Sequence, residues 1–570
     1  MFEFMHFGRK KATDPLSSLQ AISQWLNELP LGDVYVAHDK IVKSLIEFNE
    51  KKEPLTKERL LVLMHLDQYG REKNETLSRQ YLLNPRMAKS IESRLWNTIY
   101  SFQWEATRGY HAFIMDYISH PSNSKIKQYL PQITARVLQY FGEICKWHYF
   151  RFEQIDGKVW KRLHNLYRFA EFEEFETDAL ALYEGDSEKP TTCANLYLHV
   201  LMMDVLNTGS LFPKQTEMIS DWLGGWTETM RLEKIYDPDK HVFQVDFSLG
   251  SGARRIRKIQ NTDMCRYWGT RGLISRIEQI RAALLNGDVP AKLGLSEACR
   301  LPGCLDFLDD VAGQWAPTVQ RIKRKHERNK VVKMIEVVHG LNEIYSQIKS
   351  DNELAALKSS GADKGALSYD EMVDVHLYGF VTSRTQTKLG ADNPSEAQKI
   401  ALHERWVMEN ESERGYGATV NEVGDDWVRL GKLVGLKPDS SANWHIGVVR
   451  RLLKKSDSQF YVGMEVLVLT SVAVTLRAKV KHPAGYRVEG IDSVDMLLPV
   501  AGFYVPKDEE KDFQNSLIIE PGEFAAGRVF ELIAGGKNYS ISLGEILEKG
   551  DDWLRVAIEV LHKNQSRKSS

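Results

Sequence analysis

The chain has 570 residues, with 75 Lys plus Arg against 77 Asp plus Glu, a charged fraction of 27% and a hydrophobic fraction of 43%. That length exceeds one ordinary core and predicts about three or four domains. The near balance of charge excludes a bulk nucleic-acid or membrane-surface binder, so any anion site must be local.

The start, MFEFMHFGRKKATDP, lacks the apolar core of a signal peptide. No apolar run of about 18 residues is present, so no spanning helix is expected. Residues 15 to 335 read mainly as helix. Leu19, Ile22, Leu26 and Leu29 recur at helical spacing, with Asp14-Pro15 as a possible cap and first-turn proline. Ile91, Leu95, Ile99 and Phe102 repeat the pattern, as do Trp160, Leu163 and Tyr167. The aromatics Trp96, Trp104, Trp147, Tyr149, Phe150, Phe152 and Trp160 are expected to pack between helices; the alternative is a stacking platform for bases. The five cysteines, Cys145, Cys193, Cys265, Cys299 and Cys304, include no CxxC pair and read as buried small apolar residues of a reducing cytoplasm, with no metal site.

Two basic clusters interrupt this region. ARRIRK (253–258) follows the glycine-containing SLGSG, which is neither a Walker nor a Rossmann fingerprint. RIKRKHERNK (321–330) is the second. Both are expected on a solvated helix face or at a domain junction. VVKMIEVVHGLNEIYSQIKS then reads as an amphipathic connecting helix, with Met334, Val337, Leu341, Ile344 and Ile348 as its stripe. KSSGADKGALSYDE supplies the polar, glycine-containing linker.

Beyond residue 371 the hydrophobic period becomes two. VDVHLYGFVTS, WVRLGKLVGLK, WHIGVVRRLLK and YVGMEVLVLT are strand candidates, followed by SVAVTLRAKV, GRVFELIA, NYSISL and WLRVAIEV. Short strands at this spacing predict a closed barrel or sandwich. The fold class is therefore α+β multidomain: an all-α region over 1–335, a connecting helix and linker over 336–370, a β-barrel over 371–470, and a second β module or barrel extension over 471–566.

The chemistry concentrates at NESERG (410–415). Asn410 carries a donor and an acceptor on one amide and can pair with a nucleobase edge. Ser412 shares its face if the segment is extended. Gly415 permits a turn or close approach by a ligand. Upstream, SRTQTK places Arg384 and Lys388 four apart, and Arg384 could hold phosphate or guanine. There is no GxSxG, HExxH, P-loop or CxxC pair, so nothing points to an enzyme.

A basic pair, a strand, NESERG, and strands of the form IGVVRRL and VGMEVL together resemble the PilZ domain, a small β-barrel that binds cyclic di-GMP. That family carries RxxxR on the segment entering the barrel and [DN]xSxxG on the barrel. The second motif is complete in Asn410, Ser412 and Gly415; the first, read at Arg384, becomes RxxxK at Lys388. The resemblance covers residues 372–470 and implies a ligand site of Arg384, Lys388, Asn410, Ser412, Arg414 and Gly415. Arg384 is the main clasp. Asn410 and Ser412 read guanine, and Gly415 keeps the turn open. Lys388 keeps charge without the planar fork, which implies weaker binding; Arg414 either compensates or is simply exposed.

The resulting expectation is a bacterial, cytoplasmic cyclic di-GMP effector with no other cofactor. It acts on an unidentified protein partner in motility, adhesion or biofilm control. The alternatives are a ligand-free PilZ-like interaction scaffold, or an RNA-binding protein that uses the aromatic helices and basic clusters.

Overall fold

A computed structural model describes the chain outside residues 1–13, 31, 122–123, 186–189, 260–261, 301–302, 319–326, 361–403, 422–426, 457, 470–471, 479–498, 508–513, 535–536 and 565–570. Contacts divide it into Met1–Ile322 and Lys323–Ser570.

The first unit is a helical array: α1 (Leu19–Asn27), α2 (Val34–Glu50), α3 (Lys57–Leu83), α4 (Lys89–Ser119), α5 (Ser124–Lys127), α6 (Leu130–Phe150), α7 (Gly157–Phe172), α8 (Cys193–Asp204) and α9 (Pro213–Trp226). It then passes through three short strands, β1 (Phe243–Asp246), β2 (Arg254–Arg255) and β3 (Cys265–Trp268), to α10 (Arg271–Leu285) and α11 (Gly303–Trp315). Side-chain caps fix several starts: Ser18, Asp33, Thr56 and Thr192 each accept the N–H three residues on. Ser18, and not Asp14, therefore caps the first helix; Asp14 closes a turn before it.

Of the aromatics, Trp96, Trp147, Tyr149, Phe150 and Trp160 are buried, so they serve helix packing and offer little ring face to a base. The three-stranded sheet makes the unit not purely helical. ARRIRK supplies β2 instead of a helix face. The Arg255 guanidinium lies over Phe243 and donates to the Gln314 carbonyl at 2.8 Å. Beside the SLGSG glycines stands Asp204, a carboxyl group that burial pushes up to about 6, where a phosphate cradle would need donors. Cys145, Cys193 and Cys265 are buried, but Cys299 and Cys304 form a disulfide, against the expectation of five free thiols.

The second unit contains two closed six-stranded barrels. The first is built from β4 (Asn329–His339), β5 (Glu404–Ser412), β6 (Gly415–Asn421), β7 (Leu433–Pro438), β8 (His445–Ser456) and β9 (Gln459–Val468), with α12 (Leu341–Ser360) between β4 and β5. The second uses β10 (Val472–Ala478), β11 (Val500–Val505), β12 (Ser516–Ile519), β13 (Val529–Ala534), β14 (Lys537–Lys549) and β15 (Leu554–Asn564). Their spatial orders, β4-β5-β6-β9-β8-β7 and β10-β11-β12-β15-β14-β13, are the same topology. The region after 471 is thus a second complete barrel and not an extension of the first.

The connecting helix expected over 331–350 is half strand. Ile335, Val337 and Val338 are buried in β4, and the β-branched run suits a pleated surface. Gly340, at φ +85°, turns the chain into α12, where Leu341, Ile344 and Ile348 are buried as the stripe required. The division after Ile322 consequently precedes the boundary read at residue 335, because β4 and α12 belong to the barrels. VDVHLYGFVTS and the linker from Gly361 onward lie outside the described residues.

One apolar cluster ties the barrels together through α12. Leu341, Ile344 and Ile348 meet Leu433, Trp444 and Ile446 of the first barrel and Phe503, Val505 and Ile518 of the second. Trp553, fully buried, donates its indole N–H to the Gly431 carbonyl at 2.9 Å. A fragment 323–570 is therefore expected to unfold cooperatively. A fragment 371–570, which lacks β4 and α12, is expected to be insoluble or unfolded by circular dichroism. In the full chain Trp553→Ala should cost about 3–5 kcal/mol, measured by denaturant titration. Independent folding of 371–570 would show that β4 is dispensable.

Candidate functional site

The β5–β6 hairpin carries Asn410, Ser412 and Gly415. Trp406 and Met408 point into the barrel while Val407 is exposed. Simple alternation would send Asn410 inward as well. The register instead steps from Met408↔Ala418 to Asn410↔Gly417, leaving Glu409 as an extra residue. This β-bulge reverses the parity, so Asn410 and Ser412 share the outer face with Gly417 and Gly415. β4 takes up the mismatch with its own step between Lys330↔Asn410 and Lys333↔Met408.

Ser412 pairs with Gly415 across a two-residue loop, and its hydroxyl donates to the Gly415 carbonyl at 3.2 Å. Gly415 has no positive φ; its role is close approach, since a Cβ there would lie 3.0 Å from the Met464 carbonyl oxygen. Arg414 is half-buried, and its carbonyl accepts the Val466 N–H at 3.1 Å. Asn410 Nδ2 donates to the Tyr461 hydroxyl at 3.0 Å.

Register places an outward row across five strands: Lys330, Asn410, Gly417, Gly463 and Arg451. Two glycines without side chains thus lie between an amide and an arginine, with a lysine beyond. Neighbouring cations are neutralised. Lys333 pairs with Glu411 at 2.8 Å and Arg450 with Glu465 at 2.8 Å. Lys455 meets Glu409, whose carboxyl is held below its ordinary value by hydrogen bonds from Lys455 and Thr419. Among the described residues no carboxylate pairs with Arg328, Lys330 or Arg451. The surface can therefore accept an anion with a planar group. A groove of about 610 Å³ continues along the same face past Val407, Glu409, Thr419 and Lys455.

Arg384 and Lys388 lie outside the described residues. The structure does place another basic segment at the motif. β4 opens with Asn329 opposite Glu411 and Lys330 opposite Asn410, so the exposed Arg328 immediately precedes the strand beside the hairpin. The sequence signal was present: Arg324-Lys325-His326-Glu327-Arg328 has RxxxR spacing on the segment that enters the barrel. Arg324 itself lies outside the described residues. Among the described residues no cluster of His, Cys, Asp or Glu could hold a metal, and no helix is long and apolar enough to cross a membrane.

A closed six-stranded barrel with an N-x-S-x-x-G hairpin on its outer face defines a PilZ-type module. Family comparison agrees. Residues 20–239 match the cyclic-di-GMP receptor FimW N-terminal domain, and residues 349–471 match the cyclic-di-GMP receptor FimW middle PilZ domain. The chain belongs to the PilZ-domain cyclic di-GMP receptor family. No curated protein and no solved structure matches it. The second barrel lies beyond both matched spans.

The hairpin geometry sets a stability expectation. Ser412→Ala, which loses one turn hydrogen bond, should cost about 0.5–1.5 kcal/mol. Gly415→Val should cost more, because its Cβ meets backbone and not a movable side chain. Equal melting temperatures for the two variants would show that the β6–β9 contact at Gly415 tolerates a side chain.

Proposed function

We propose that the chain binds cyclic di-GMP on the outer face of the first barrel, at the β5–β6 hairpin, and acts as an effector that passes ligand binding to a protein partner. The observation that carries this reading is the bulge at Glu409. It turns Asn410 and Ser412 outward together, beside a strand that begins with unneutralised cations. Cyclic di-GMP carries two phosphates and two guanines, so cations and a donor–acceptor amide on one shallow surface match its chemistry.

In this reading Asn410 and Ser412 contact guanine, and Gly415 lets β6 approach β9 closely. The clasp is Arg324 with Arg328. Their segment leads directly into β4, and β4 pairs with the motif strand at Asn410. An intact RxxxR with two guanidinium forks supports ordinary PilZ-type affinity and not the weakened binding implied by RxxxK. Arg384 and Lys388 form the rival clasp, and a pair of substitutions separates the two.

Isothermal calorimetry on the full chain should detect cyclic di-GMP binding well below about 100 μM, that is, better than about −5.5 kcal/mol. Arg328→Ala should weaken it roughly 10- to 100-fold, as expected for a charge-assisted hydrogen-bond pair. Arg384→Ala should change it less than about 3-fold if Arg324 and Arg328 form the clasp. The opposite ranking would return the clasp to Arg384 and Lys388. No binding by the unsubstituted chain would favour the interaction-scaffold reading.

A further inference from the structure

Tyr461, on β9, lies outside the N-x-S-x-x-G string, yet it touches the residue of that string with the richest hydrogen-bonding chemistry. By register Tyr461 stands opposite Thr419, two pairs further along the sheet than Gly417 and so on the same face. Its side chain leans back over Gly417, and the hydroxyl accepts Asn410 Nδ2 at 3.0 Å. The Asn410 amide lies flat on the same glycine. A Cβ at position 417 would sit 2.6 Å from Nδ2 and 2.7 Å from Oδ1, so only glycine accommodates this arrangement. The Lys455 ammonium stands over the Tyr461 ring, 5.6 Å from its centroid.

The consequence is chemical. An asparagine amide free to rotate presents a donor or an acceptor to whatever base arrives. With one Nδ2 hydrogen given to the tyrosine hydroxyl, the amide is held in the orientation in which Oδ1 faces a ligand as acceptor beside the second N–H. Guanine offers N1–H and N2–H donors on its Watson–Crick edge, and a carbonyl oxygen accepts from them. Adenine has an acceptor at N1, which the same oxygen would face lone pair to lone pair, and only its N6 amino group can donate where guanine offers two adjacent donors.

We propose that Tyr461 is a positioning residue that fixes the Asn410 amide as an acceptor and so makes this face select guanine over adenine. This rests on the reading that cyclic di-GMP binds at the hairpin. Tyr461→Phe removes the hydroxyl and keeps the ring and its lysine contact. Gly417→Ala displaces both side chains from their seat.

The test is calorimetry of the full chain with cyclic di-GMP and with cyclic di-AMP, alongside thermal unfolding to check the fold. The ratio of the two affinities should fall roughly 5- to 10-fold in Tyr461→Phe, the scale of one net hydrogen bond. Gly417→Ala should fall in the same direction. A merely structural role would weaken both ligands alike and leave the ratio unchanged. A Tyr461→Phe variant that binds cyclic di-GMP with an unchanged ratio overturns this proposal alone. Failure of the unsubstituted chain to bind cyclic di-GMP overturns the underlying reading and this proposal with it.

Discussion

One extra residue in one strand decides what the first barrel can present. Without the bulge at Glu409, β5 would alternate strictly, and the parity that buries Trp406 and Met408 would bury Asn410. An uncompensated amide inside the barrel would be costly, and the outer face would lose the Asn410 amide. Glu409 is itself held in the bulge by Lys455 and Thr419, so the irregularity has its own polar partners. The matching step in β4 keeps Lys330 opposite Asn410, which carries the local adjustment across three strands without opening the barrel.

The two barrels share a topology but use the corresponding face differently. In the first barrel the outer surface of β5, β6 and β9 holds the glycine row and the hairpin motif. The corresponding strands of the second are β11, β12 and β15. There Phe503 and Val505 of β11 and Ile518 of β12 lie buried in the cluster around α12, with Trp553 just before β15. The same position in the same fold is a solvent-facing surface in one copy and part of a core in the other. Side chains make that difference, since glycine and asparagine leave a surface wettable whereas phenylalanine, valine and isoleucine drive burial.

The hairpin that carries the motif was legible in the sequence because its spacing is local. N-x-S-x-x-G is short enough for one hairpin, and a hairpin's geometry follows from its turn. The bulge was not legible: extended spacing correctly put Asn410 and Ser412 on one face, but which face depends on pairing with Ala418 and Gly417. The sequence reading put the basic clasp at Arg384 and Lys388, which lie outside the described residues. Distance along the chain favoured Arg384, 26 residues before Asn410. The fold inserts α12 and residues 361–403 between its first two strands, so the entering segment lies further upstream, at Arg328. The same insertion hid β4. Met334, Val337 and Leu341 have helical spacing, and only Gly340 marks where the period changes from two to 3.6.

The path from the hairpin to the second barrel is short in elements. β4 begins beside Asn410 and ends at His339, and α12 starts at Leu341, with Gly340 alone between them. Leu341, Ile344 and Ile348 of that helix pack against both barrels in one cluster. Tyr345 bonds Thr475 at 2.7 Å, and Asn342 bonds Glu520 at 2.7 Å, so the helix is fastened to the second barrel by polar contacts as well as by apolar area. Packed cores resist continuous deformation. A ligand that bears on the start of β4 therefore acts on an element whose far end is built into the core shared by the two barrels. In the proposed effector, that makes the second barrel a part of the chain that ligand binding at β4 can reach, although it carries no N-x-S-x-x-G hairpin of its own among the described residues.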